Sequence, residues 1–179
     1  DREILDFGKA GKLEAFNTDG LRSLVTTMGH IPEMTEKTLR YPGHIDLIIA
    51  LQQAGFLDAQ PPQVGSTSFS PLDFTSRILL EAWKLGEEEP EFTVMKVILK
   101  GEGKTITWDL YDEYDPVTKT SSMARTTGYT CTAAVEMIHQ GLFLEKGLFP
   151  PERIGSRPGC FEFLLEYLRA RSVHWELTI

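Results

Sequence analysis

The stretch from Leu13 to His44 reads LEAFNTDGL at residues 13–21 and, after a short spacer, KTLRYPGH at residues 37–44. Each of these two segments is a short extended run that ends at a polar turn. The first turn carries Asp19 beside Gly20, and the second places Arg40 and His44 around Pro42-Gly43. Charged side chains on two strand-end turns could form a polar binding site, and they could also be ordinary turn chemistry.

Five side chains on these turns are candidates for binding a small amino acid: Thr18, Asp19, Arg40, Tyr41 and His44. Arg40 offers a planar fork of donors that suits a carboxylate, and its alternative is a salt bridge across the sheet. Asp19, or Glu14, could hold an ammonium group, although the pattern favours Thr18 or Asp19 as the N-cap of the next helix. Tyr41 is predicted to pack with its hydroxyl bonded locally.

The segments around this stretch alternate between strand and helix patterns. Strands are predicted at 12–17 and 37–41, and helices at 21–27, at 44–53 and from Ser70-Pro71 to about Leu85. A polar loop is predicted over 58–68. The pairing of Ser70 with Pro71 is a helix start signal, because serine caps the free N–H groups and proline fits the first turn.

The second half of the chain predicts a three-stranded meander followed by two helices. Its strands lie at 92–100, 105–114 and 119–126, the helices at 130–140 and 161–171, and a short last strand at 173–177. Strands and helices are therefore partly segregated. This order predicts an α+β fold with a mixed, largely antiparallel sheet and helices packed on one face.

Length and charge restrict the functional classes. The 179 residues suit one domain, predicted over 1–179, and the net charge of −8 disfavours a nucleic-acid partner. Neither a membrane-spanning run nor a signal peptide is predicted. Two distant cysteines, Cys131 and Cys160, are predicted to be buried free thiols, which fits a reducing cytoplasm. Because the chain opens at Asp1 with a sequence typical of the middle of a longer chain, we expect a fragment of a longer protein, with a processed N-terminus as the alternative.

Several familiar sites are excluded by their spacing. Gly103-Lys104-Thr105 has Ile98 where a phosphate-binding loop needs its first glycine, and a strand follows it in place of a helix. The dinucleotide fingerprint fails at Gly101 for the same two reasons. The four histidines have no ligand spacing, so no metal site is predicted.

Four segments of the chain, taken in order, resemble the saccharopine dehydrogenase family. They are the two segments quoted above, MARTTGYTCTAA at residues 123–134, and KGLFPPE at residues 146–152. The form NTDG at residues 17–20 looks closest to the lysine 6-dehydrogenase branch. The resemblance implies a C-terminal substrate-binding and dimerisation domain, with NAD or NADP bound mainly by an N-terminal Rossmann domain outside this chain.

The resemblance also implies a chemistry for the candidate residues. The reaction would be oxidative deamination of lysine or a lysine-derived amine, with hydride transfer to NAD(P). Arg40 would hold a carboxylate, Asp19 an amine, and His44 would be a weak candidate for the proton acceptor, while the catalytic residue itself stays unknown. The expected partners are the amino-acid substrate, the Rossmann domain and a second copy in a homodimer.

Two other interpretations stay open. One is a non-catalytic module that uses the same sheet only for self-association. The other keeps the enzyme and changes the substrate to saccharopine or a polyamine-derived imino acid. A sheet face bearing Val94 and Ile98 would be an apolar patch if nothing covered it, which favours a dimer.

Overall fold

A computed structural model describes residues 1–60, 63–64, 67–86 and 88–179, with only the backbone considered at 63, 64 and 67. The chain divides into two compact units. The first unit comprises Asp1–Gly20 and Thr35–Glu87, and the second comprises Leu21–Met34 and Glu88–Ile179. All strand pairs in the described residues are antiparallel.

The first unit contains a three-stranded sheet and two longer helices. Its strands are β1 (Arg2–Asp6), β2 (Lys12–Asn17) and β3 (Lys37–Arg40), in the order β1-β2-β3, and a 3₁₀ turn at Gly8–Ala10 joins the first two. Two short strands, β4 (Gln63–Val64) and β5 (Thr67–Ser68), form a hairpin. The central strand β2 buries Leu13 and Ala15.

The two longer helices of the first unit begin where the sequence predicts. Helix α2 spans His44–Gln53, after Gly43 at a φ of +93°, a backbone conformation that favours glycine. Helix α3 spans Pro71–Ala82, and the Ser70 side chain accepts the backbone N–H of Asp73. The loop predicted over 58–68 falls partly on residues outside those described, and its described part contains the β4–β5 hairpin.

The second unit is built around a long hairpin. Strands β6 (Phe92–Gly101) and β7 (Lys104–Glu113) pair along their whole length, and β8 (Trp175–Thr178) pairs with β7 on its other side. The helices are α1 (Leu24–Thr27), α4 (Tyr129–His139), α5 (Pro151–Gly155) and α6 (Cys160–Arg169), and a π-helical turn, Ala124–Gly128, leads into α4.

Two apolar clusters form the core of the second unit. In one, Leu110 of β7 packs with Leu168 and Val173, and Tyr129, Leu164 and Trp175 surround them. In the other, Met137 of α4 packs with Phe143 and Cys160. These contacts fix α4 and α6 against each other and bring the C-terminal segment back beside β7.

The α+β class is confirmed, and three details of the prediction are wrong. The stretch 119–126 is not a strand: Asp115 and Thr120 form a single bridge, and the π-helical turn follows. The place beside β7 belongs to β8. Cys131 is exposed, whereas Cys160 is buried as predicted.

No helix within the described ranges has both the length and the apolar character needed to span a bilayer.

Candidate functional site

One face of the first unit's sheet carries the main predicted site residue. Arg40, at the end of β3, lies directly opposite Glu14 of β2, so the two side chains share a face of the sheet. Arg40 is exposed, and its guanidinium donates a hydrogen bond of 2.7 Å to the carbonyl of Leu39. Within the described parts of the chain, the Arg40 guanidinium makes no ion pair.

The carboxylate opposite Arg40 is bound elsewhere. Glu14 is only 8% exposed, and it accepts hydrogen bonds from Arg2 at 3.2 Å and from the backbone N–H of Gly43 at 3.4 Å. Arg2 also binds Asp46 at 2.8 Å, and this bond is the main reason that the pKa of Arg2 is raised. The predicted alternative for Arg40, a salt bridge across the sheet, is therefore not formed among the residues that the structure describes. The bound Glu14 instead ties the turn after β3 to the central strand.

The turn after β2 is held by a carboxylate from the segment before β3. Thr18 donates to Glu36 and lies 3.0 Å from the hydroxyl of Thr38, while the N–H of Gly20 donates to Glu36 at 3.1 Å. Ser23 occupies the N-cap position of α1, so the prediction that Thr18 or Asp19 caps this helix is wrong. The side chain of Thr18 therefore hydrogen-bonds to Glu36, on the segment before β3.

The turn after β3 exposes one predicted residue and packs another. Tyr41 is 63% exposed, so the prediction that it packs is wrong. His44 is the first residue of α2, and its ring lies 5.5 Å from the ring of Trp83. The chain thus places Arg40, Tyr41 and His44 within one turn, with Thr18 on the neighbouring strand end next to Thr38 of β3.

The second unit contains a buried ion pair that the sequence does not predict. Arg125, in the π-helical turn, binds both carboxylate oxygens of Asp112 on β7, at 2.8 and 3.1 Å. The two residues are 7% and 6% exposed, and the guanidinium also donates to the carbonyls of Arg171 and Ser172. The bond to Asp112 is the main cause of the raised pKa of Arg125. Arg125 lies within residues 119–126, which the sequence predicts as a strand.

A cavity of about 550 Å³ adjoins this ion pair. Its walls include Arg125, Asp112 and the three tyrosines Tyr111, Tyr114 and Tyr129. A volume of this size falls in the range of small-molecule sites. No residue of this wall was a candidate in the sequence.

The described residues do not fit a nucleotide or metal site. A dinucleotide site needs a parallel strand–helix–strand unit with a glycine-rich first turn, whereas the strand pairs of the described chain are antiparallel and Gly101–Gly103 joins a hairpin. No cluster of three or more metal-ligating side chains occurs among the residues that the structure describes.

The comparison with family models agrees with this arrangement. The model of the saccharopine dehydrogenase C-terminal domain matches residues 2–173, which include most of each unit, the Arg40 turn and the Arg125 ion pair, and which end before β8. The predicted family is therefore confirmed, and the lysine 6-dehydrogenase branch stays a prediction. The chain belongs to the saccharopine dehydrogenase C-terminal domain family, and it is a domain of the NAD(P)-dependent amino-acid dehydrogenases.

Proposed function

We propose that this chain is the substrate-binding and dimerisation domain of a dehydrogenase that oxidises lysine or a lysine-derived amine, with NAD(P) as the hydride acceptor. The observation that carries the proposal is the exposed guanidinium of Arg40, at the end of a strand and without an ion pair in the described chain. The membership of the dehydrogenase family supports the reaction class.

Arg40 is suited to hold the α-carboxylate of the substrate. Its guanidinium carries five N–H donors, and its only hydrogen bond to the described residues goes to the Leu39 carbonyl. The neighbouring Glu14 carboxylate is bound to Arg2 and Gly43, which leaves the fork of Arg40 for an external anion. A carboxylate received by two parallel N–H groups is fixed in orientation as well as in position.

The other predicted residues complete the proposal around Arg40. Asp19 would hold the substrate α-amine, Thr18 and Tyr41 would line the site, and His44 would accept the proton released as the reacting amine becomes neutral. The position of His44 at the first turn of α2, against Trp83, supports a fixed orientation for its ring. A base that serves this step must reach the amine within hydrogen-bond distance.

The cofactor would be held by a separate N-terminal Rossmann domain. The described residues offer no nucleotide-binding turn, so the role of this chain is to orient the amine and carboxylate of the substrate. Fixing both groups positions the reacting carbon, and such orientation lowers the barrier without any change in the chemistry itself. The proposed setting is the cytoplasm.

The test of this function is substrate-dependent NAD(P)H formation by the full-length enzyme, with lysine, saccharopine and carboxynorspermidine compared. Arg40→Ala should lower kcat/KM for the preferred substrate by roughly 10- to 150-fold, the equivalent of ~1.5–3 kcal/mol for bonds to a charged group. Arg40→Lys should recover only part of this loss, because an ammonium cannot form the two-pronged contact.

Arg77→Ala is the matched control, because Arg77 is an exposed arginine of α3 in the same unit. Unchanged kcat and KM in Arg40→Ala would contradict the role of Arg40. No turnover of any of the three amines by the intact enzyme would favour the self-association module instead.

The dimerisation part of the proposal rests on β6. This strand is at the edge of its sheet, and Met95, Val97, Ile98 and Leu99 on it are exposed. An exposed edge strand of ten residues with apolar side chains tends to pair with another chain. Sedimentation velocity should give a dimer, and Ile98→Lys together with Val97→Lys should shift it toward monomer. A monomeric parent protein at micromolar concentration would contradict dimerisation.

A further inference from the structure

The buried carboxylate of the first unit's sheet has an arginine on each side of it. Glu14, on the central strand β2, lies directly opposite Arg40 of β3 and Ile4 of β1. Arg2 is two residues from Ile4 along β1, so Arg2, Glu14 and Arg40 share one face of the sheet. Residues directly opposite each other have Cβ atoms ~5 Å apart, and diagonal neighbours are further apart. By strand register alone, Arg40 is therefore the nearer cation to Glu14.

The carboxylate of Glu14 nevertheless binds the diagonal arginine. Its Oε1 accepts a hydrogen bond from Nη1 of Arg2 at 3.2 Å, and its Oε2 accepts the backbone N–H of Gly43 at 3.4 Å. Arg40 instead donates to the carbonyl of Leu39 at 2.7 Å. A buried carboxylate without a cationic partner is strongly disfavoured. In the described chain, Arg2 is the cation that meets this need of Glu14.

A second carboxylate fixes Arg2 in this place. Asp46, in the first turn of α2, accepts a hydrogen bond of 2.8 Å from the same Nη1 of Arg2. One nitrogen atom thus joins β1, the central strand β2 and the helix that begins at His44. Both oxygens of Glu14 are then bound, one by Arg2 and the other by Gly43.

We propose that Arg2 is a positioning residue that keeps the guanidinium of Arg40 available for a ligand carboxylate. Without Arg2, Glu14 is a buried anion whose nearest remaining cation is the one directly opposite, and it binds Arg40. An internal carboxylate then occupies the donor fork and competes with the ligand for the same N–H groups. The consequence for the substrate rests on the proposed function, whereas the exchange of partners at Glu14 does not.

The exchange of partners is tested by the reactivity of Arg40 toward p-hydroxyphenylglyoxal, a reagent for accessible guanidinium groups. The full-length enzyme is labelled and digested, and the peptide that contains residue 40 is quantified by mass spectrometry. Arg2→Ala should slow the modification of Arg40 by roughly tenfold, because the guanidinium becomes bound to a carboxylate. Arg2→Ala combined with Glu14→Gln should restore the parent rate, since no carboxylate then lies opposite Arg40.

Two controls accompany the labelling. Arg77, an exposed arginine of α3 in the same unit, is the internal reference and should react at one rate in all variants. Lys37→Ala is the matched variant, because Lys37 of β3 forms a cross-sheet bond of 2.6 Å to Glu3 on the opposite face, and it should leave Arg40 unchanged. Arg2→Gln keeps a polar side chain without the cation, and it should slow Arg40 even if the alanine variant is unstable.

An Arg40 rate in Arg2→Gln equal to that of the parent would overturn the proposal. A slowed rate that the added Glu14→Gln does not restore would overturn it as well, because Arg2 would then act through the fold rather than through Glu14.

The kinetic consequence is a raised KM at unchanged kcat. With the amine that the full-length enzyme turns over best, Arg2→Ala should raise the KM by roughly tenfold, because the substrate carboxylate must displace Glu14 from Arg40. Adding Glu14→Gln should bring the KM back. Arg2→Lys should also keep the KM near that of the parent, since both contacts leave from one nitrogen and an ammonium carries three donors.

The two measurements separate this inference from the proposed function. If Arg40→Ala leaves kcat and KM unchanged while Arg2→Ala slows the modification of Arg40, the proposed function fails and the role of Arg2 stands. If Arg40→Ala raises the KM while Arg2→Ala and Arg2→Gln change neither the modification rate nor the KM, the proposed function stands and this inference fails.

Discussion

Replacement of Arg125 by alanine should destabilise the second unit strongly. Both partners of the ion pair are nearly inaccessible, Arg125 at 7% and Asp112 at 6% exposure, and two hydrogen bonds of 2.8 and 3.1 Å join them. The guanidinium also satisfies the carbonyls of Arg171 and Ser172, at 3.3 and 3.1 Å. One side chain thus connects β7, the π-helical turn and the segment that leads into β8.

The magnitude follows from what the truncation leaves behind. Without Arg125, Asp112 is a buried carboxylate with its main partner removed, and breaking a buried pair in this way costs ~3–5 kcal/mol. The two carbonyls that lose a donor place the expected value toward the upper end of this range. Arg125→Lys keeps the charge and loses the planar fork, so we expect about half of the loss.

The assay is urea unfolding followed by circular dichroism, with a double-mutant cycle. Arg125→Met combined with Asp112→Leu removes both charges, and it should be far less destabilised than Arg125→Met alone, because no uncompensated charge remains. A loss below ~1 kcal/mol for Arg125→Ala is the value of a solvated surface pair, and it would refute the reasoning. Equal losses in the single and double variants would also refute it.

Two further predictions concern local contacts. Ser70→Ala should lower the free energy of unfolding by ~1 kcal/mol, because the serine hydroxyl accepts the N–H of Asp73 at the start of α3. Urea unfolding measures this free energy, and a change near zero would contradict the role of Ser70 as a cap. The second concerns Glu152, whose pKa is lowered mainly by the hydrogen bond that Thr27 donates to it. This contact therefore stabilises the folded state fully at a pH above the ordinary carboxyl pKa. The stabilisation is lost as the pH falls through the lowered pKa of Glu152 in the folded state. Thr27→Val should therefore flatten the acid side of the profile of Tm against pH, and an unchanged profile would contradict the contact.

Local signals in the sequence were sufficient for the helices with clear start and stop residues. The order Ser70-Pro71 at α3 and the glycine before His44 at α2 specify the first turn through backbone geometry and capping, which depend on near neighbours alone. The β6–β7 hairpin was equally predictable, because apolar and polar residues alternate along β7 and Gly101–Gly103 supplies the turn.

The third strand of the sheet that contains β6 and β7 could not be predicted from such local signals. Residues 119–126 have strand-like composition, yet Ser122 bonds through its N–H and hydroxyl to Glu91, and Arg125 inserts between β7 and the C-terminal segment. These contacts join residues that lie far apart in the sequence. The competing partner for β7 was β8, whose pairing spans more than sixty residues and leaves no local signal.

The candidate site could be predicted from the sequence only in part, for the same reason. Adjacent residues predicted that Arg40, Tyr41 and His44 share one turn, and the structure places them so. The engagement of Thr18 with Glu36, and of Glu14 with Arg2 and Gly43, depends on strand register, which the sequence does not reveal directly. The predicted cap at Thr18 or Asp19 is wrong because the N-cap position of α1 is Ser23, beyond the polar turn.

The two arginines of this chain show why residue type alone does not identify a binding group. Arg125 has its donors satisfied by a buried carboxylate and by backbone carbonyls, so its guanidinium serves the fold. Arg40 is exposed, the carboxylate opposite it is already bound by Arg2, and its one hydrogen bond to the described residues goes to the Leu39 carbonyl. A ligand carboxylate gains most at a guanidinium whose donors are not already used by the protein. Hence the loss of Arg125 should lower stability first, and the loss of Arg40 should lower substrate affinity with the fold intact.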